Sequence, residues 1–330
     1  MALVYVLLTK GGLDAAETWN SVRNANFALY ALGFLAYYLS FPLRGYRWRR
    51  LLTNAAVGKR SGVPREPPDR PDAGVRTRIP GLGATTPARR LPSVLGCAEI
   101  LYLSWFVNCL VPAKLGDAYR SYLLKKYSRV SFSATMGTVV AERILDLLVL
   151  CLLLGFSALT VVSRFGSGQA SSTWLVMTLG AVLVCSIGAG LYIMRRHSSL
   201  IVRLLPIRLG EKYLSLRSGV IDSFQNVPGL AGLTVIVWLA EAAGLYFVTR
   251  ALGVDVSIPV VVFVALAGSL LTSVPGLPGG LILVEGGMTG ALALAMPVEQ
   301  ALAVALLYRT ISYWSIVILG LPLYLISQKK

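Results

Sequence analysis

Two arginines lie inside stretches of sequence that are otherwise apolar. Arg143 is part of "VVAERILDLLVL", and Arg309 is part of "ALLYRTISYWSIVIL". A charged side chain at membrane depth is costly, so it normally faces a charged partner or water. A guanidinium binds a phosphate through two parallel hydrogen bonds, whereas an ammonium offers only a point charge. The pattern therefore predicts an anion site, with a structural ion pair between Arg143 and Asp146 as the alternative.

Carboxylates accompany both arginines. Glu142 and Asp146 share the predicted helix of Arg143. Asp117 and Glu285 each follow a glycine-containing break, at the predicted first turn of a helix. The helix dipole alone favours a carboxylate at that position. The alternative is that these carboxylates orient the breaks or relay protons.

Glycines and cations occur at the breaks themselves. Gly116, Gly279 and Gly280 have no side chain, so their backbone N–H groups could approach an anion directly. Lys114 and Arg120 flank the first break and could attract headgroups from the cytoplasmic leaflet. A snorkelling anchor is the alternative for Arg120. We expect these five residues and Asp117 to bind substrate together with the two arginines, and Glu142, Asp146 and Glu285 to act as coupling or structural carboxylates.

The breaks interrupt segments that should enter or cross a membrane. One is "VPAKLGD" at 111–117, and the other is "VPGLPGG" at 274–280. Irregular backbone at membrane depth is tolerated only where it is buried in protein or lines a polar cavity. A pair of broken segments in corresponding positions of two halves is typical of a transporter's binding site. We therefore predict re-entrant helical hairpins at 93–131 and 258–297.

The composition is that of a membrane protein. Hydrophobic residues make up 55% of the chain and charged residues 14%, with a mean hydropathy of +0.68. Soluble domains carry about 25% charged residues. The stretches that approach or exceed the length needed to cross a bilayer are 26–43, 93–111, 144–162, 174–194, 229–249, 258–274 and 310–326. The sequence predicts an all-α polytopic membrane protein, a single transmembrane domain over 1–330 with about six to eight transmembrane helices.

The net charge of +16 is concentrated at the ends of apolar segments. Arg44, Arg47, Arg49 and Arg50, for example, follow 26–43. This is the positive-inside pattern, which places such residues near anionic headgroups on the cytoplasmic side. A nucleic-acid-binding protein would instead carry its charge on one face of a domain, so no nucleic acid is expected as a partner.

Two polar segments join the apolar ones. Residues 53–92 contain seven prolines, five glycines and eight Lys/Arg, which predicts a disordered basic cytoplasmic loop. Residues 198–226 predict an amphipathic helix on the inner membrane surface. The charges of the loops place the C-terminus in the cytoplasm and open the two hairpins to opposite sides. This indicates an inverted repeat, with chance similarity of the two halves as the alternative.

The sequence contains no motif for a metal site, a redox-active cysteine pair or a nucleotide-binding site. His197 is the only histidine, the cysteines form no CxxC pair, and no phosphate-binding loop is present. Neither a metal nor another cofactor is expected, nor ATP hydrolysis. Glu241 is a further intramembrane carboxylate, and its partner must come from another helix.

The order of these features resembles the flippase-like integral-membrane family typified by the transmembrane domain of lysylphosphatidylglycerol synthases, the multiple peptide resistance factors. The residues that carry the resemblance are Asn108, "PAKLGDAYR" at 112–120, "ERILD" at 142–146, "PGGLILVE" at 278–285 and Arg309. They extend over most of the chain, and their common order is more specific than any one of them.

The sequence departs from the family pattern in several places. Lys114 replaces an arginine and Asp117 replaces a glutamate, and both changes keep the charge. Ile282 replaces a glycine, and the insert at 53–92 is unusual. Because no soluble aminoacyltransferase domain follows Lys330, we expect the lipid-moving part without the synthase part.

The resemblance implies a translocator, not an enzyme, that moves an anionic lipid between the leaflets of the cytoplasmic membrane. Its substrate would be an anionic phospholipid or a polyprenyl-phosphate-linked lipid, with the phosphate between Arg143 and Arg309. A lipid gradient or proton coupling through carboxylates would set the direction. Two alternatives stay open: an accessory subunit for a separately encoded lipid-modifying enzyme, and a membrane-embedded transferase acting on a lipid phosphate.

Overall fold

The computed structural model is helical wherever it describes the chain. The described residues are 15–61, 91–112, 114–128, 130–165, 170–272 and 277–328. The α-helices in chain order are α1 (Ala15–Arg23), α2 (Phe27–Ser61), α3 (Val94–Leu110), α4 (Leu115–Ser128), α5 (Phe132–Phe165), α6 (Ala170–Arg196), α7 (Ser198–Leu204), α8 (Ile207–Ser223), α9 (Val227–Ala251), α10 (Ile258–Leu271), α11 (Leu283–Leu292), α12 (Val298–Arg309) and α13 (Ser315–Gln328). Within these ranges no strand is present, which confirms the all-α prediction.

Three segments of the described chain are long and apolar enough to cross a membrane. They are Phe27–Ala55, Val227–Ala251 and Val298–Gln328. At 1.5 Å per residue, such helices cover a hydrocarbon core about 30 Å thick. The last segment runs through α12, a π turn at Thr310–Trp314 and α13 without interruption. The chain is therefore an all-α membrane protein, and the count of six to eight crossings stays a prediction.

Small residues let α2 and α9 pack closely side by side. A Cβ added at Gly33 would lie 3.0 Å from the carbonyl oxygen of Gly244, so the two backbones come close together. Close backbone approach of this kind stabilises helix pairs in membranes, where apolar burial does not drive association. Buried side chains of α2, α9 and α12, such as Tyr37, Leu245 and Ala305, form the core around the candidate site.

The first predicted break separates α3 from α4. Helix α3 ends at the residue before Val111, whose backbone is extended because Pro112 follows it. A Cβ at Gly116 would lie 2.0 Å from the carbonyl oxygen of Ser104, so only glycine permits the close antiparallel packing of α4 on α3. A helical hairpin forms here as predicted, and its re-entrant placement in a membrane remains a prediction.

The second predicted break separates α10 from α11. Residues 273–276 lie outside the described residues, and a short 3₁₀ turn occupies Pro278–Gly280. Gly279 and Gly280 have φ angles of 56° and 68°, which glycine adopts at little cost. Ile282 has a φ of 77°, an unusual conformation for a β-branched residue.

Two predicted boundaries require correction. Helix α2 continues to Ser61, so the predicted loop at 53–92 does not begin at residue 53. Its remainder, 62–90, lies outside the described residues. The predicted single helix at 198–226 is divided into α7 and α8, because Pro206 has no N–H to continue a helix and adopts an extended ψ of 145°.

Candidate functional site

A cavity of about 120 Å³ lies between the two breaks. The first break contributes Pro112 and Lys114 to its wall, and the second contributes Leu277 and Gly279. The described ends of the two hairpins therefore meet at one site. A Cβ added at Gly279 would lie 3.6 Å from the Cα atom of Cys109 in α3, which gives the same proximity independently.

Positive charge dominates the wall of this cavity. Its cationic side chains are Arg44, Lys114, Arg143 and Arg309, and Glu241 is its one carboxylate among the described residues. Arg143 and Arg309 were predicted from the sequence to face a common site, and both do line the cavity. A concave wall of one sign attracts anions of the opposite sign.

Arg143 is held by a carboxylate of the first hairpin. Its Nε and Nη2 donate to the two oxygens of Asp117 at 3.0 and 2.8 Å. The predicted alternative partner, Asp146, lies 3.8 Å from Nη1 and makes only a long ion pair. The Arg143 side chain stays 32% exposed, so part of the guanidinium remains accessible.

Arg309 is held in the same way by the second hairpin. Its Nε donates to Glu285 at 2.7 Å, and its Nη2 donates to the carbonyl oxygen of Gly279 at 2.9 Å. The ring of Tyr313 lies 4.7 Å from the guanidinium carbon and supports it from one side. Both arginines are thus fixed by a break and presented to the cavity.

The two halves share one arrangement. In each, the carboxylate lies in the first turn of the second hairpin helix. In each, the arginine follows on the next helix, 26 residues after Asp117 and 24 residues after Glu285. The carboxylates therefore occupy helix N-termini, as the sequence indicated, and they also bind the arginines, which the sequence did not indicate. Their predicted part in proton relay stays a prediction.

A second ion-pair cluster lies behind the wall. Arg47 donates to Asp146 at 2.6 Å, to Glu142 at 2.7 Å and to the hydroxyl of Thr234 at 2.8 Å. Arg120 donates to the other oxygen of Glu142 at 2.6 Å. All four charged side chains are buried. This cluster joins α2, α4, α5 and α9 at one point.

The structure corrects the predicted role of Arg120. Its side chain has no exposed surface and stacks over the ring of Trp48 at 5.3 Å, so it neither collects headgroups nor snorkels to the surface. The reason is that α4 turns this side chain toward Glu142 on α5. Glu142 and Asp146 likewise contact arginines and do not line the cavity.

Arg44 and Arg47 are internal residues that were not recognised as such from the sequence. Both were assigned to the headgroup region, yet they are only 2% and 0% exposed. The usable signal was helical spacing. Arg44, Arg47 and Trp48 share one face of α2, whereas Arg49 and Arg50 point to solvent.

Arg44 is the partner that Glu241 was expected to find on another helix. Its Nη2 donates to Oε1 of Glu241, and the hydroxyl of Ser269 donates to Oε2 at 3.2 Å. The guanidinium carbon lies 4.9 Å from the ring centre of Trp105 and 5.2 Å from that of Trp238. Cation–π contact with both rings fixes Arg44 in the wall.

The predicted glycine donors are largely engaged within the protein. The N–H of Gly116 donates to Oδ1 of Asn108 at 2.8 Å, and the N–H of Gly280 donates to the carbonyl oxygen of Leu277 at 3.1 Å. The prediction that these two groups bind an anion is therefore wrong. Both glycines are required for close packing or for positive φ, and side chains supply the charge of the site. Among the described residues, no group of three or more potential metal ligands occurs.

These features define a class of protein: an all-α membrane protein with a cationic cavity between two helical breaks. The family model described as "Lysylphosphatidylglycerol synthase TM region" matches residues 1–320. The chain therefore belongs to this family, which confirms the resemblance found in the sequence.

Curated relatives agree with this assignment. A UPF0104 membrane protein of Methanocaldococcus jannaschii is 35% identical over 68% of this chain and 95% of its own length. A UPF0104 membrane protein of Pyrococcus horikoshii is 26% identical over 100% of this chain and 95% of its own length. The glycosyltransferase AglD of Haloferax volcanii is 27% identical over 89% of this chain, which spans only 47% of that longer protein.

Proposed function

We propose that this protein translocates an anionic lipid headgroup between the leaflets of the cytoplasmic membrane. The observation that carries the proposal is the meeting of Arg143, Arg309, Lys114 and Arg44 in one cavity between two helical breaks. The cations of this cavity can replace the water that hydrates a phosphate while the headgroup passes the apolar core of the membrane. The acyl chains would stay in lipid throughout.

The ion pairs at the wall suit reversible binding. Asp117 and Glu285 hold the two guanidiniums in fixed orientations, so little side-chain entropy is lost when a phosphate arrives. Arg143 keeps exposed surface toward the cavity and would make the first contact. Arg309 is only 4% exposed and would bind the phosphate once the headgroup has entered. A lipid gradient would be sufficient to give direction.

Reconstitution in liposomes tests this proposal. The protein is incorporated into vesicles carrying acyl-labelled fluorescent phosphatidylglycerol, and dithionite then bleaches the label in the outer leaflet. Wild-type protein should expose inner-leaflet label faster than empty vesicles. Arg143→Gln and Arg309→Gln should each slow this by about tenfold or more, because a charge-assisted hydrogen bond contributes about 1.5–3 kcal/mol.

Matched variants separate function from folding. Arg250 pairs at the surface with Asp255, away from the cavity, so Arg250→Gln should keep the wild-type rate. The double change Arg309→Gln with Glu285→Gln removes both charges of a buried pair and should fold better than the single change. If it folds and still moves lipid at the wild-type rate, the proposal is wrong.

A second candidate function rests on the relative named as a glycosyltransferase. AglD contains a region similar to nearly all of this chain and a further half that this chain does not span. We propose as the alternative that this protein serves a separately encoded lipid-modifying enzyme as an accessory subunit. Wild-type rates equal to those of empty vesicles, for both phosphatidylglycerol and a polyprenyl-phosphate-linked hexose, would favour this second candidate.

A further inference from the structure

The cavity wall also bears on the kind of headgroup it accepts, and this step rests on the proposed function. The one carboxylate in the described part of the wall is Glu241. Both of its oxygens are occupied, one by Arg44 and the other by the hydroxyl of Ser269. Because Arg44 already neutralises Glu241, the wall offers no unpaired negative charge to a cationic group.

The other carboxylates near the cavity are also paired with arginines. Asp117 is paired with Arg143, and Glu285 with Arg309, and neither carboxylate is part of the wall. The Oε2 atom of Glu285 has no hydrogen-bond partner among the described residues, but it is buried outside the wall. An ammonium group inside the cavity would therefore face guanidiniums rather than their partners. Like charges brought together at such a site cost several kcal/mol.

Hydrogen-bond donors without a partner point to an uncharged polar ligand. Two such donors belong to residues that line the cavity: the indole N–H of Trp238 and the Nε–H of Arg44. Neither has a hydrogen-bond partner among the described residues, although Trp238 is only 7% exposed. The hydroxyl of Ser312, another residue of the wall, also has no hydrogen-bond partner among the described residues. Indole and guanidinium groups only donate, so they require an acceptor oxygen.

We infer that the substrate is a phosphodiester lipid whose headgroup is uncharged and rich in hydroxyls, such as a glycerol or a hexose. Its phosphate would lie near Arg143 and Arg309, and its hydroxyl oxygens would accept from Trp238 and Arg44. This charge pattern disfavours an aminoacylated lipid, even though the family description includes lysylphosphatidylglycerol. A lysyl ester adds an ε-ammonium and an α-amino group beside one phosphate.

Matched lipids test the inference in one vesicle assay. The probes are acyl-labelled phosphatidylglycerol, acyl-labelled lysylphosphatidylglycerol and a fluorescent polyprenyl-phosphate-linked hexose. We expect at least one uncharged-head lipid to move about tenfold or more faster than the lysyl lipid, given the cost of like-charge contact. The phosphatidylglycerol and hexose arms identify which source of the shared chemistry is used.

The outcomes separate this inference from the proposed function. Lysylphosphatidylglycerol moving as fast as the other lipids, or faster, overturns the inference but leaves translocation intact. No probe moving faster than in empty vesicles overturns both. Transport of one uncharged-head lipid with discrimination against the lysyl lipid supports both.

Two variants examine the wall itself. Trp238→Phe keeps an aromatic ring, although a smaller one, and removes the N–H, so it should slow the uncharged-head lipid severalfold without a matching change for the lysyl lipid. Trp314→Phe, at a 48% exposed tryptophan outside the wall, is its control. Arg44→Gln leaves Glu241 unpaired and should shift the ratio of rates toward the lysyl lipid. An unchanged ratio in a folded Arg44→Gln protein counts against the inference.

Discussion

Burial divides the four arginines at positions 44–50 of α2 into two groups with different functions. Arg44 and Arg47 are internal and paired with carboxylates, whereas Arg49 and Arg50 are exposed. Only the second pair can contribute to the interaction with headgroups that the sequence indicated for all of them. The internal pair instead neutralises carboxylates of other helices. Arg47 thereby stabilises the fold, and Arg44 contributes to the charge of the cavity wall.

Arg47 should be essential for stability. Arg47→Met leaves Glu142 with one arginine instead of two, and Asp146 with only its long contact to Arg143, so we expect a loss of about 3–5 kcal/mol. The measurement is thermal unfolding of the detergent-solubilised protein. Arg50 is exposed, and its side chain donates to the hydroxyl of Tyr46 and lies over the ring of the same residue, so the control Arg50→Met should have little effect. Equal losses in both variants would contradict the internal role of Arg47.

Ile282 should be a source of backbone strain. Its φ of 77° and ψ of −50° lie in a region that costs a β-branched residue about 1–3 kcal/mol. Ile282→Gly should therefore raise the thermal stability, since the side chain is 44% exposed and little burial is lost. Ile318→Gly is the matched control, because Ile318 is exposed on the regular helix α13, where glycine destabilises by about 1 kcal/mol. A loss of stability at both positions would show that Ile282 is not strained.

At the scale of helices, the breaks were predictable and the internal irregularities were not. Proline and glycine at 111–117 and 274–280 break helices locally, so the sequence alone located both hairpins. The division at Pro206 had the same local cause but was overlooked. The π turn at Thr310–Trp314, directly after Arg309, has no comparable local signal. Its residues make tertiary contacts, such as the hydrogen bond from Tyr313 to the carbonyl oxygen of Cys109.

The crossing of α5 and α8 depends on two glycines. A Cβ at Gly137 would lie 2.2 Å from the carbonyl oxygen of Leu216, and a Cβ at Gly219 would lie 2.1 Å from that of Ala134. The backbones therefore touch, which explains why α8 packs against the bundle. Its predicted position on the membrane surface is untested.

Gly137→Ala should destabilise the protein, while Gly155→Ala on the same helix should not. The first change forces the helices apart and should cost about 1–3 kcal/mol. At Gly155 nothing lies within 4 Å of an added Cβ, and alanine favours a helix by up to about 1 kcal/mol. Thermal unfolding of both variants measures the difference. If both changes prove neutral, the close crossing of α5 and α8 is not formed.

At the scale of the whole molecule, the site required contacts that local sequence could not give. Arg143 and Arg309 were found because charged residues in apolar stretches are conspicuous, and Asp117 and Glu285 because each follows a glycine-containing break. Their pairing across elements was not predicted, since ion pairs between distant segments depend on the packing of whole helices. The anion-binding role assigned to glycine N–H groups failed for a related reason: Asn108 satisfies Gly116, and no local pattern reveals that partner.

The sidedness of the two hairpins follows from loop charge alone and can be measured directly. If they open to opposite sides, Lys126 at the end of α4 faces the cytoplasm and Leu294 after α11 faces outward. Each is exposed and is changed to cysteine in a background without Cys97, Cys109, Cys151 and Cys185. A membrane-impermeant maleimide should label Lys126→Cys only in inside-out vesicles and Leu294→Cys only in right-side-out vesicles. Gln328→Cys should follow Lys126→Cys, because the C-terminus is expected inside. Labelling of Lys126→Cys and Leu294→Cys from the same side would contradict the inverted repeat, and the cavity would then be approached by both breaks from one leaflet.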